Sequence, residues 1–315
     1  GLGDVYKRQD LPLLVEDAEN PSIDDIMNRV LVSHNWMGLR FEQALELMPE
    51  QLLRLFSAVT TIIIDDDIRP SSYQPATSTV YLDPANLWLT NSEKAVINKS
   101  PDYRSDYASD LSFASLARYV DGSYEAWEYY SLNGSAQRNL SDIQYSLANL
   151  LLHELMHAND YFPPESAPYL SPFETLYQAY RRLLPNRIST RLEDAMPLQS
   201  SLMQELADVM YLGRRASVAQ MNISAAQVGD AMEADGASDD YAYASPREDA
   251  AMLFSEAMMK LLFGLDRDIA YSNQPAGNAY CDDYIVAWGM RGRVGDSEVK
   301  AVSYTHLRAH ETTSH

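Results

Sequence analysis

Residues 141–164 read SDIQYSLANLLLHELMHANDYFPP. Ser141, Asp142, Ile143 and Gln144 have the pattern of a capping box, in which two side chains satisfy the orphan N–H groups at the start of a helix. Ile143, Leu147, Leu151 and Leu155 then recur every four residues on one side. Pro163 and Pro164 end the pattern, because proline has no N–H to give and its ring crowds the preceding turn. The stretch predicts one amphipathic helix, and that helix carries His153, Glu154 and His157. Residues four apart on a helix lie one above the other, so both imidazoles can reach a single ion. Glu154 projects about 100° round the axis from His153, close enough to take a proton from water beside that ion without becoming a ligand.

The spacing suits zinc. The ion lowers the pKa of a bound water to roughly 7, and a neighbouring carboxylate takes the proton and later returns it to a leaving amine. An HExxH string arises by accident in on the order of one chain in a hundred of this length, often outside helices, whereas here it falls well inside one. Of the six histidines, His306, His310 and His315 lie in the last 13 residues. That segment (303–315, SYTHLRAHETTSH) and the first nine residues (GLGDVYKRQ) resemble translated sequencing-adaptor read-through and are set aside as non-native. The His306–His310 pair, although spaced like ligands, goes with them. His34 reads as a surface or capping histidine. Two of the three remaining histidines therefore stand at ligand spacing on an otherwise apolar helix, where an unpaired polar side chain is costly.

Composition narrows the rest. A formal charge of −21 over 315 residues repels phosphate backbones and anionic lipid, which disfavours nucleic-acid binding. No run approaches the ~18 apolar residues of a membrane-spanning helix. The single cysteine, Cys281, excludes an internal disulfide framework and a cysteine-rich zinc knuckle. Asp65–Asp67 lacks the alternating spacing and glycine of a calcium loop and reads as a solvated turn.

Working outward, residues 22–59 carry apolar residues at helical spacing (Ile23, Ile26, Met27, Val30, then Phe41, Ala44, Leu45, Met48) and predict a helical layer, with Pro49 opening its last helix. Residues 60–64 and 78–82 predict strands from β-branched runs and alternation. Residues 69–107 read as a surface connection. Ser245-Pro246-Arg247-Glu248 opens a second strongly signalled helix that runs to Gly264. Weaker helices are expected over 173–183 and 201–211, and a late strand or buried segment over 284–288. The sum is a mainly helical α+β fold with a small sheet, in one domain spanning residues 10–302.

With one other native histidine available, a carboxylate is the expected third ligand. The metzincin pattern fails, since Asp160 and Pro163 stand where it needs glycine and histidine or aspartate. HELMH at 153–157 and SPREDAAMLFSEAM at 245–258 together resemble the gluzincins, zinc peptidases whose third ligand is a glutamate on a later helix, and among them the lethal-factor-like and related zinc-binding peptidases. The resemblance covers about 20 residues in two islands. It implies a zincin-like fold, a Zn2+ cofactor, Glu248 as third ligand within Glu248-Asp249-Ala250-Ala251, and a peptide or protein substrate. Alanine beside the glutamate leaves space for the two helices to cross closely. The family's tyrosine shortly before the glutamate helix, which stabilises the oxyanion, falls at Tyr241 or Tyr243.

The resemblance also offers strand 78–82 as an edge for extended substrate, and hints at secretion or envelope attachment. Met252 stands where the thermolysin pattern has aspartate. Glu248 equally completes the Ser245 capping box with no metal present, and Asp249, Glu256 and Glu205 are rival ligands. Asp160, on the face of the two histidines, or Asp249 would orient a ligand histidine. Two other readings stand beside the hydrolase: a zinc-holding interaction module without activity, and a metal-free helical scaffold.

Overall fold

A computed structural model describes residues 12–277, 279–295 and 299. Both end segments set aside above lie outside the described residues. The chain divides into two compact units, one made of the residues up to Asp102 with Trp127–Arg187, the other of Tyr103–Ala126 with the residues from Ile188 onward.

In the first unit, α1 (Leu14–Asp17) and α2 (Ile23–Met27) precede β1 (Val30–Val32), α3 (Asn35–Leu45) and α4 (Glu50–Arg54). Then come β2 (Thr61–Ile64), β3 (Ser72–Gln74), β4 (Thr79–Leu82), α5 (Asn91–Ala95), α6 (Leu140–Tyr161) and α7 (Leu176–Leu183). The four strands form one sheet in the order β1-β2-β4-β3, with β3 antiparallel to β4 and the other pairs parallel. Ile62 pairs with Val80 and Ile64 with Leu82, which sets four fully buried side chains on the core face. Val30 is not part of a helix, as its spacing suggested. Val30–Val32 pairs in parallel with Ile62–Ile64, because a β-branched run beside a strand gains more from the ladder than from continuing α2.

Helix α6 runs through the middle of this unit, with Ile143, Leu147, Leu151 and Leu155 all fully buried, each contributing about 2 kcal/mol on removal from water. It stops at Tyr161, before the two prolines. Its start is two residues earlier than the Ser141 box implied. Asn139 is the N-cap, Asp142 accepts the Asn139 N–H at 2.6 Å, and Gln144 donates to the Leu47 carbonyl at 3.1 Å instead of closing a box. Asn159 ties the far end down by donating to the carbonyls of Leu55 (2.9 Å) and Leu155 (2.7 Å). An edge-on pair of rings, Phe41 and Phe56 at 6.3 Å, fills the space between α3 and the turn that α6 packs on.

The second unit holds β5 (Phe113–Asp121), β6 (Tyr124–Glu125), α8 (Ile188–Ala195), α9 (Ser201–Met210), α10 (Ala225–Asp235), α11 (Pro246–Phe263), β7 (Asp266–Asn273) and β8 (Val286–Arg291). Its sheet, in the order β6-β5-β7-β8, is antiparallel throughout. Leu206 of α9, Val228 and Met232 of α10, and Ile269 and Tyr271 of β7 form its core. Gly229 lets the Trp288 ring pack against the backbone of α10, where a Cβ would overlap it. α11 begins and ends as its sequence implies, with Ser245 as N-cap, Pro246 in the first turn and Gly264 in the left-handed conformation at φ +72°. The fold is therefore α+β, and the described residues form two four-stranded sheets where one small sheet was expected. No described helix is long and apolar enough to cross a membrane.

Candidate metal centre

Within the first unit, the His153 and His157 Nε2 atoms stand 3.2 Å apart, with the rings nearly perpendicular at 89°. Two nitrogens each ~2.0–2.1 Å from a tetrahedral zinc lie about 3.3 Å from one another, a separation close to that of this pair. The same distance suits an N–H···N bond if only one ring is protonated at that atom. Glu154 and His157 are buried and His153 half-buried, so the three polar side chains of the motif are largely withdrawn from water. Asp160, one turn past His157 on the same side, is also buried.

Within the second unit, Glu248 occupies the first turn of α11 and is half-buried. Ser245 Oγ accepts the Glu248 N–H at 3.3 Å. Ala250 and Ala251 are both buried. The rival ligands are placed differently. Glu205 is exposed on α9. Glu256 is buried, accepts the Val294 N–H at 3.2 Å and faces Arg267 at 3.7 Å; burial pushes its pKa up to about 7. Burial, and then the charges of Asp239 and Asp235, raise Asp249 to about 7 as well.

The two tyrosines before α11 part company. Tyr243 is buried, and its hydroxyl donates to Asp235 at 2.9 Å. The Tyr241 ring packs edge-on against Tyr211 at 4.7 Å, and Tyr211 in turn donates to Asp240 at 2.9 Å. His34 sits at the start of α3, its Nδ1 3.0 Å from Ser33 Oγ and 3.7 Å from Asp66.

Strand 79–82 is not the edge that the resemblance suggested. β3 pairs along its open side from Ser72 to Gln74, a strand that went unread because three residues inside a proline- and serine-rich connection carry no alternation to detect. A second group missed in the sequence is Arg187, whose guanidinium is buried against Tyr161; a lone arginine leaves no local signal of burial.

No family model, curated protein or solved structure matches this chain.

Proposed function

We propose that this protein is a zinc-dependent hydrolase of the gluzincin type, most simply a peptidase, in which His153, His157 and Glu248 hold the ion and Glu154 moves protons. The observation that carries the reading is the 3.2 Å separation of two imidazole nitrogens on α6 beside a buried glutamate. It is supported by the chemistry of the donor set, since two imidazoles with one carboxylate are a known zinc combination that leaves a fourth position open.

A bound zinc ion supplies Lewis acidity toward a carbonyl oxygen and toward water. Glu154 accepts the proton of the attacking water and delivers it to the leaving nitrogen, a transfer worth on the order of 10² to 10⁴ in rate. Tyr241 donates a hydrogen bond to the developing oxyanion, while Tyr243 gives its hydroxyl proton to Asp235. Asp160 orients a ligand imidazole, and Asp249 supports the turn that carries Glu248.

The test pairs metal analysis with a peptide library. Protein purified without added metal should contain close to one zinc per chain, and its hydrolysis of library peptides should vanish in Glu154→Gln with the zinc retained. Zinc that cannot be loaded ends the proposal. Zinc retained with no hydrolysis by either form would leave a binding module.

A further inference from the structure

Arg187 lies at the end of the first unit with only 4% of its surface exposed. Its guanidinium is stacked 3.8 Å from the centre of the Tyr161 ring and 5.4 Å from that of Tyr180. Tyr161 also packs against Tyr73 at 5.6 Å and Tyr180 at 5.5 Å, so the cation sits in an aromatic enclosure. Stacking occupies the faces of the guanidinium and leaves its in-plane donors unaddressed. Two of them, Nε and Nη2, have no hydrogen-bond partner and no contact with solvent. These two N–H groups share one edge of the guanidinium and point the same way, the side-on fork that matches both oxygens of a carboxylate. Leaving such donors of a buried cation unmade is costly, and among the described residues no carboxylate is bonded to them. Tyr73 directs its hydroxyl to Ser78 at 2.9 Å.

Position gives this fork a use. Tyr161 lies four residues after His157, on the same face of α6 and roughly 6 Å further along its axis. Tyr161 and the imidazole pair thus occupy successive turns of one helix face.

We propose that Arg187 binds a carboxylate of the substrate next to the bond that is cleaved, supplied either by the chain terminus of the peptide or by an aspartate or glutamate side chain. This rests on the hydrolase reading. Because the fork is shielded from solvent, a carboxylate that reaches it meets the cation in a medium of low dielectric. Lysine cannot replace Arg187, since a point charge lacks the paired donors.

The experiment uses zinc-loaded full-length protein and peptides that differ in one group: a free or amidated C-terminus, and Asp or Asn beside the scissile bond. Cleavage is followed with the wild type and binding by calorimetry with Glu154→Gln, each with and without Arg187→Lys and Arg187→Met. The carboxylate form should be preferred by roughly 10- to 100-fold in kcat/KM and in Kd, and both Arg187 variants should erase the preference. Loss with the amidated terminus identifies a terminal carboxylate, and loss with Asn identifies a side chain. Cleavage indifferent to both groups, or a preference that survives Arg187→Lys, overturns the Arg187 site while the hydrolase stands. Carboxylate-dependent binding that needs Arg187, with no peptide cleaved, upholds the site and removes the hydrolase. Arg187→Met that merely lowers the melting temperature, with the preference intact in Arg187→Lys, makes the residue structural and also overturns the proposal.

Discussion

Arg267 Nη2 and Asp239 Oδ2 meet at 2.6 Å inside the second unit, each side chain less than a tenth exposed. Arg267 comes from β7, Asp239 precedes the turn that carries Tyr241, and Glu256 of α11 faces the same guanidinium at 3.7 Å. One cation therefore balances two buried carboxylates. Replacing Arg267 by Met should cost about 3–5 kcal/mol in urea unfolding, because it strands Asp239 without a partner in low dielectric. Adding Asp239→Asn to that variant should recover part of the loss, and an unchanged midpoint in the single variant would show the pair to be energetically idle.

Stability in this unit should also depend on pH. Burial raises Glu256 to about 7, and burial followed by the charge of Asp239 raises Asp240 to about 6, both above their unfolded values. The folded state then holds these protons more tightly than the unfolded chain does. The stabilisation is complete below about pH 4 and is lost as pH rises through 6 to 7. Carboxylates held low by partners, such as Asp268 between Arg291 and Arg118, act in the opposite sense at lower pH, so the comparison belongs with a variant. Relative to wild type, Glu256→Gln should gain on the order of 2–3 kcal/mol between pH 5 and pH 8. A constant difference across that range would refute the raised pKa.

Tyr241 and Tyr243 should separate cleanly in kinetics and stability. Tyr241→Phe is expected to lower kcat by roughly 10²–10³ with little change in KM, the signature of a donor used only in the transition state. Tyr243→Phe removes the bond to Asp235 and should lower stability by about 1 kcal/mol while leaving kcat within a few-fold. Reversed outcomes would move the oxyanion role to Tyr243.

Zinc affinity identifies the third ligand. Glu248→Ala should weaken zinc binding at least about 100-fold, as judged by competition with a chromophoric chelator, while Glu205→Ala leaves it unchanged. Excess zinc at about 100 times its Kd should add roughly 2.7 kcal/mol to wild-type stability and much less to the Glu248 variant. Equal affinities in the two proteins would exclude Glu248.

Legibility followed the range of the forces involved. α6 and α11 were readable because their periodicity, capping residues and terminating proline or glycine all act within a few residues. α10 carried the same kind of signal, with Ser224 and Gln227 closing a capping box and Gly236 at φ +74°, and could have been read. β1 and β3 could not, since three-residue strands are made by their neighbours: β1 forms against Ile62–Ile64, and β3 by covering β4 and so denying it an edge.

The sequence by itself determined that His153 and His157 face one point with Glu154 between them, because helical geometry converts a spacing of four into a shared face. Only the tertiary structure sent Tyr243 to Asp235 and Glu256 to Arg267, and left the Arg187 fork unpaired against Tyr161. Each of those outcomes depends on which side chains the packed core brings alongside one another, and no local pattern encodes the neighbour that a buried charge will meet.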